Sequence, residues 1–359
     1  MFSGQLSLIS GHREADITLA EGKVLQSVGI VLHSEASRKE NPSPMTQPRS
    51  GAATTPVALF AIACTLCIFS CISPAGAVTP PTTFEQQLAA IAGQFHGHVA
   101  LAGANLRTGE HFGLHPDQPV RTASVIKLPV MVTAFYQMQA GRLHWSQIVP
   151  MSRWDQVAGS GILQFFALTP PPQLTLGDAI TLMIDLSDNT AANMVIQTVG
   201  IPAVNARMRR LGLAHTTLYS YVFHAAHPRS AGEKQFGLGE TTPAEMVRLL
   251  TLIEGHKILT PAACDHMLAI LSQQQDNDAF PRFMGAYPKV TWAHKTGALD
   301  AVRNDVGVAT TPAGPIVLAG FAYDSQDQQW TAQNPALLVL AHLAHAVIAH
   351  FVPAGQPAH

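Results

Sequence analysis

The order of segments along the sequence predicts an α+β protein built of two lobes. Strand-like stretches lie toward both ends of the chain, at 98–105 and 291–323, and a mainly helical block at 123–208 separates them. One helix is predicted before the first strand and one after the last. Strands from the two ends can pair in one antiparallel sheet with these two helices on one face, and the helical block then forms the second lobe. A cleft between the lobes is where a binding site is expected.

Local patterns place the helices that flank the strands. Glu85 follows Thr82 by three residues, the spacing of a capping box, so a helix is predicted to begin there. Pro243 opens another helix, because proline suits the first helical turn. The last helix is predicted over about 335–351.

The composition favours a globular protein with a large core. Of 359 residues, 47% are apolar and 12% are charged, so a large core is available. The net charge is −2 and no basic run is present, which argues against nucleic acid as a partner.

The amino-terminal part has the features of an export signal. Residues 57–72 form an uncharged apolar run of sixteen, short for a membrane span of about 20 residues. Ala75 and Ala77 follow in the small-x-small arrangement of a cleavage site, while Arg49 and Met45 stand ahead of the run. We therefore expect translation to start at Met45 and the product to be periplasmic or extracellular, with an uncleaved anchor as the alternative.

These features predict the domain boundaries. The predicted segments are a dispensable or non-native extension at 1–44, a signal peptide at 45–77, a single globular domain at 78–352 and a tail at 353–359. Within the domain, the α/β lobe comprises 78–121 and 283–352, and the helical lobe comprises 122–282.

Three short motifs carry reactive residue types: Ser124-Val-Ile-Lys127, Ser187-Asp188-Asn189 and Lys295-Thr296-Gly297. If the first is helical, Ser124 and Lys127 share a face. A serine hydroxyl is a poor nucleophile until a base takes its proton. Lys127 can be that base only if its pKa is lowered, by burial or by a second ammonium group.

Taken together and in this order, the motifs resemble those of the class A β-lactamase and penicillin-binding-protein superfamily of active-site serine enzymes. The resemblance covers roughly Thr82 to Phe351, including a Thr-Gly-Glu turn and a Thr-Thr-Pro before a helix. It implies the same two-lobe fold, a monomer that acts on a small-molecule substrate, and neither metal nor cofactor.

The resemblance implies three catalytic residues. Lys127 would deprotonate Ser124, and Ser187 would relay a proton to the leaving nitrogen. Lys295 would be the second ammonium group that lowers the pKa of Lys127.

It also implies the residues that bind substrate. Asn189 would hold the Lys127 side chain and the amide carbonyl of the substrate, while Lys295 and Thr296 would bind its carboxylate. Gly297 completes this strand motif. The oxyanion hole would be formed by the backbone N–H groups of the nucleophilic serine and of Ala298.

One part of the class A pattern is missing. Those enzymes carry Glu-x-x-Leu-Asn between the second motif and Thr-Thr-Pro, and its glutamate holds the water that hydrolyses the acyl-enzyme. Residues 219–243 contain no such motif. Glu233 is the candidate carboxylate there, with His224 or His227 as alternative bases. A covalent acyl-serine step is therefore better supported than rapid turnover.

Two other charged residues have open roles. Arg303 is a candidate partner for a substrate carboxylate, with a salt bridge to Asp305 as the alternative. Asp188 is interpreted as structural.

The leading interpretation is an exported serine hydrolase of the class A β-lactamase type, which opens a β-lactam or related amide through acyl-Ser124. The alternative is a D,D-peptidase, penicillin-binding-type enzyme or esterase on the same scaffold, acting on a peptidoglycan-like peptide with slow deacylation. A β-lactam-sensing receptor is a third interpretation, and it would require a retained anchor.

Overall fold

The computed structural model describes residues 83–353, so the predicted extension and signal peptide lie outside the described residues. The strands are β1 (His98–Asn105), β2 (His111–Leu114), β3 (Val120–Arg121), β4 (Ile148–Pro150), β5 (Gln173–Thr175), β6 (Thr217–Leu218), β7 (Gly239–Thr241), β8 (Thr291–Leu299), β9 (Val302–Thr310) and β10 (Ile316–Tyr323). The α-helices are α1 (Phe84–Ala92), α2 (Lys127–Gln139), α3 (Leu176–Asp185), α4 (Asn189–Val199), α5 (Ile201–Arg210), α6 (Ala231–Phe236), α7 (Pro243–Glu254), α8 (Pro261–Leu271) and α9 (Pro335–Phe351).

The main sheet joins strands from the two ends of the described chain. It has five antiparallel strands in the order β2-β1-β10-β9-β8. Two small sheets, β3-β7-β6 and β4-β5, lie outside it. The structure confirms the predicted α+β class, and it places β8, which carries Lys295, at an edge of the main sheet.

Alternating residues of β1 pack into two separate cores. Val99 and Leu101 belong to the core under α1 and α9, whereas Ala100 and Ala102 belong to the core formed with the helices of the central block. Helix α7 covers this second face of the sheet against β1 and β10. The sheet is therefore buried on both sides, and the helical block is packed directly against it.

One local prediction needs correction. The capping box of α1 uses Thr83 and Gln86 rather than Thr82 and Glu85.

Pro129 lies in the first turn of α2, where a backbone N–H would have no partner within the helix. The chain around Ser124 forms a separate 3₁₀ turn, so the proline interrupts no hydrogen-bond ladder.

Within residues 83–353, no helix combines the length and the apolar character that crossing a bilayer requires.

Candidate active site

Ser124 lies in a strained turn between β3 and α2. The turn is a 3₁₀ helix, Ala123–Ile126, and Ala123 has a φ of +46°. Residues with a side chain rarely adopt this left-handed conformation, and such strain persists where the surrounding structure enforces it. Ser124 itself is half-buried, whereas Ala123 and Val125 on either side are buried. The turn thus leaves the serine reachable on an otherwise buried segment.

Lys127 is buried completely and hydrogen-bonded to the Ser187–Asn189 segment. Its Nζ donates to Ser187 O at 2.7 Å, to Asn189 Oδ1 at 2.9 Å and to Ser187 Oγ at 3.2 Å. A buried ammonium group is costly unless it is paired or hydrogen-bonded, and three acceptors meet that requirement. The first and second motifs are therefore in direct contact.

The environment of Lys127 favours its neutral form. Burial, followed by the positive charge of Lys295, holds the pKa of Lys127 well below its usual value, although Asp188 opposes the shift. A neutral amine has two N–H donors and one lone pair, so it keeps two of the three hydrogen bonds and can accept a proton. This is the property that a general base needs.

Asp188 fixes the second motif in place. It caps α4 by accepting from Ala191 N at 2.9 Å, and its other oxygen accepts from Ile162 N at 2.7 Å and Leu163 N at 2.9 Å. Ser187 before it has a φ of +52°. These contacts give Asp188 a structural role, in agreement with the interpretation from sequence, and they hold Ser187 in a strained conformation.

A glycine-rich loop backs Asn189 from the other side. Asn189 Nδ2 donates to Ala158 O at 3.1 Å, and the backbone N–H of Asn189 donates to Ser160 O at 3.0 Å. A Cβ on Gly161, whose φ is +96°, would lie 2.2 Å from the Asp188 carboxylate. Glycine is required here because the backbone approaches so closely.

Strand β8 brings the third motif against the turn that holds Ser124. A Cβ on Gly297 would lie 2.7 Å from Thr122 O and 3.1 Å from Ser124 N. Asn304, opposite Gly297 on β9, donates from Nδ2 to Thr122 O at 3.0 Å and thereby clamps the same turn. Asn304 was not identified from the sequence, because no motif marks it there.

Lys295 is the second fully buried lysine of the site. Its Nζ donates to Thr296 O at 2.8 Å. Burial lowers the pKa of Lys295 to about 8, although Asp276, Asp305 and Asp185 favour its charged form. It therefore carries a positive charge below about pH 8, which suits a group that binds a carboxylate.

The remaining residues of the strand motif lie where a substrate could pair with the sheet. Thr296 is buried and Ala298 is half-buried. Because β8 is an edge strand, the backbone groups on its outer side are not used by another strand of the sheet. The N–H of Ala298 stays a predicted oxyanion donor.

The structure gives Glu233 a local role. Its Oε1 accepts from Ala226 N at 3.0 Å, and its own N–H donates to Ser230 Oγ at 3.0 Å, so it ties the start of α6 to the preceding loop. The side chain is buried, and among the described residues its side-chain hydrogen bond runs to this loop rather than to Lys127 or Asn189. Its placement does not favour the predicted role as a deacylation base.

The part of this segment that reaches the site is apolar. Asn193, one turn after Asn189 on α4, accepts from Val222 N at 2.8 Å and donates to Val222 O at 3.2 Å. Val222 is buried, and Phe223 beside it is exposed with a φ of +58°. His224, considered as an alternative base, stacks on Trp154 with ring centroids 4.2 Å apart. Asn193 and Phe223 were not identified from the sequence.

Arg303 does not form the alternative salt bridge to Asp305. It is buried, donates to the carbonyl oxygens of Leu299 and Val302, and lies over the Trp330 ring with 4.4 Å between Cζ and the centroid. Asp305 pairs instead with His294, at 2.9 Å from Nδ1. Arg303 therefore braces the turn between β8 and β9, and its guanidinium is committed to carbonyl groups.

The site as a whole contains two hydroxyl groups, of Ser124 and Ser187, and two buried amines, of Lys127 and Lys295. Within residues 83–353, no three His, Cys, Asp or Glu side chains converge as metal ligands would. The chemistry that these side chains can perform is attack by Ser124 on a carbonyl carbon, assisted by proton transfer.

Comparison with known proteins agrees with this arrangement. A curated β-lactamase of Rhodobacter capsulatus is 25% identical over 275 residues, which cover 76% of this chain and 90% of the relative. The crystal structure of a β-lactamase from Sphaerobacter thermophilus has a TM-score of 0.66 and 28% identity, covering 74% of this chain and 96% of that one. A mutant of PBP-A, solved as an acyl-enzyme complex with penicillin G, has a TM-score of 0.65 and 25% identity, covering 76% of this chain and 99% of that one.

A sequence profile described as the β-lactamase enzyme family matches residues 83–351, nearly the whole of the described chain. With its α+β fold and the three motifs brought into contact, the chain belongs to the β-lactamase enzyme family and is a hydrolase of that kind.

Proposed function

We propose that this protein is a serine hydrolase that opens a β-lactam or a related amide through an acyl intermediate on Ser124. The observation that carries the proposal is the contact of the three motifs. Lys127 Nζ donates hydrogen bonds to Ser187 and Asn189, and Gly297 lies against the backbone N–H of Ser124.

In the proposed acylation step these groups act in turn. Neutral Lys127 takes the hydroxyl proton of Ser124, and the oxygen attacks the carbonyl carbon. The developing oxyanion is held by the N–H groups of Ser124 and Ala298, while protonated Lys295 binds the carboxylate of the substrate. Ser187 Oγ, 3.2 Å from Lys127 Nζ, passes the proton on to the amide nitrogen, and the C–N bond breaks.

Deacylation has weaker support in the chain. Residues 219–228 contain neither Asp nor Glu, and Val222 is the residue of this stretch that Asn193 holds beside α4. This observation favours a second candidate function, a penicillin-binding-type enzyme or D,D-peptidase that is acylated quickly and hydrolyses β-lactams slowly. The acyl-enzyme reported for the PBP-A mutant with penicillin G shows that a related fold forms such an adduct.

The test is to mix the protein with a chromogenic cephalosporin and follow colour and intact mass together. We expect an acyl adduct that peptide mapping places on Ser124 and that Ser124→Ala abolishes. Many turnovers per molecule support the β-lactamase, and one stoichiometric burst with a lasting adduct supports the penicillin-binding type. An adduct that survives in Ser124→Ala would contradict the proposed nucleophile.

A further inference from the structure

Phe223 combines exposure with backbone strain beside the candidate site. Its side chain is 71% exposed, and its φ of +58° lies in the left-handed region. For a bulky aromatic residue this conformation is an outlier that costs free energy, so the surrounding structure must enforce it. An exposed apolar ring gains nothing for folding by being held in this way.

Contacts on both sides of Phe223 hold it in place. Val222 is fixed to Asn193 through both its N–H and its C=O, at 2.8 and 3.2 Å. His224 is fixed to Trp154 by the stacked rings and by a 2.9 Å hydrogen bond between Nε2 and the Trp154 carbonyl. Because its neighbours are anchored to α4 and to the loop after β4, the backbone of Phe223 has a defined position.

That position is next to Asn189. A Cβ built on Gly159 would lie 2.7 Å from Asn189 Nδ2 and 3.4 Å from Phe223 Cε2, so the amide and the ring flank the same glycine. In the proposed function, Asn189 holds the amide carbonyl of the substrate. A group attached to that carbonyl therefore comes to lie beside the Phe223 ring.

We propose that Phe223 is a specificity-determining residue that favours substrates with an aromatic acyl side chain on the amide held by Asn189. The inference rests on the proposed function, and it names the substrate class of the same site. Residues 219–228 carry no Lys, Arg, Asp or Glu that would bind a charged side chain. An exposed ring instead offers an offset or edge-to-face contact to another ring, which adds to simple apolar burial.

The test compares acylation rates for benzylpenicillin, which has an aromatic acyl side chain, and 6-aminopenicillanic acid, which has none. The variant Phe223→Gly removes the ring and keeps the left-handed backbone without strain. We expect kcat/KM for benzylpenicillin acylation to fall about tenfold, and that for 6-aminopenicillanic acid to change less than about twofold. Phe223→Trp should keep the preference, because it retains an aromatic ring.

The matched control is Ile148→Ala, which removes an exposed apolar side chain from β4 and should leave both rates unchanged. Equal losses for the two substrates in Phe223→Gly, or no loss for either, would overturn the specificity role while leaving Ser124-dependent acylation intact. Failure of the unaltered protein to be acylated by either compound would overturn the proposed function and this inference with it.

Discussion

Two neighbouring regions of this protein differ in how their polar groups are used. In the acylation group, formed by Ser124, Lys127, Ser187, Asn189 and Lys295, both lysines are fully buried. Their hydrogen bonds lie within the motifs, and Gly297 of the third motif lies against the backbone N–H of Ser124. In the 219–236 segment, the carboxylate of Glu233 is bonded within its own loop, and the residues held beside α4 are apolar.

The difference indicates which chemical step the chain supports. Charged and polar groups that are buried together at a cost in desolvation indicate a functional demand on them. In the 219–236 segment, the buried carboxylate of Glu233 is bonded within its own loop, and the residues that the segment brings to the site are Val222 and Phe223. We infer that formation of the acyl-enzyme is better supported than its hydrolysis.

The largest expected effect comes from removing the proposed base. Lys127→Met should lower the rate of Ser124 acylation about a thousandfold, because a general base contributes on this scale. The methionine fills a similar apolar volume, so the fold should persist, as circular dichroism can check. Lys289→Met, at an exposed lysine, is the matched control. A loss smaller than about tenfold in Lys127→Met would place the base elsewhere.

The next effect is on the pH dependence of acylation. Lys295, with its pKa lowered to about 8, loses its charge above that pH, and carboxylate binding is lost with the charge. We expect kcat/KM for acylation to fall as pH rises through about 8. In Lys295→Arg, the guanidinium stays charged, so this alkaline limb should move upward by at least about one pH unit. An unmoved limb would assign the titration to another group.

A smaller effect is expected on stability. Asn193→Ala leaves the backbone N–H and C=O of Val222 without their partner in a buried place, which should lower the free energy of unfolding by about 1–3 kcal/mol. Urea titration followed by fluorescence measures this loss. Asn277→Ala, at a residue whose side-chain amide has only long contacts of 3.4 Å, provides a comparison that should cost less.

The smallest effect should come from Glu233→Gln. Glutamine keeps an oxygen that can accept from Ala226 N, so the loop should be retained and the rate of acyl-enzyme hydrolysis should change less than about twofold. Time-resolved mass spectrometry of the decaying adduct gives that rate. Slowing of more than about tenfold would identify Glu233 as the deacylation base and remove the contrast between the two regions.

The parts of the structure that the sequence could predict depend on local pattern or on motif order. The antiparallel sheet follows from strand-like sequence at both ends of the domain, and the helix at Pro243 begins with Thr242 as its N-cap. The convergence of Ser124, Lys127 and Lys295 was expected from the three motifs taken together. No single motif carries that information.

The parts that could not be predicted depend on partners distant in sequence or on backbone geometry. Arg303 binds carbonyl groups that are brought to it by the β8–β9 turn and by the loop after β10. Asn193 and Asn304 have no motif, and their roles arise from the segments folded against them. The left-handed backbone of Phe223 is imposed by anchors on either side, and its own residue type would predict the opposite.

The most direct test of the contrast is the fraction of enzyme present as acyl-Ser124 while substrate is being consumed. Rapid quenching followed by intact-mass spectrometry, with excess benzylpenicillin, measures it. We expect nearly all of the enzyme to carry the adduct throughout the steady state, because acylation outpaces hydrolysis. Enzyme that remains mostly free while benzylpenicillin disappears rapidly would contradict the contrast between the two regions.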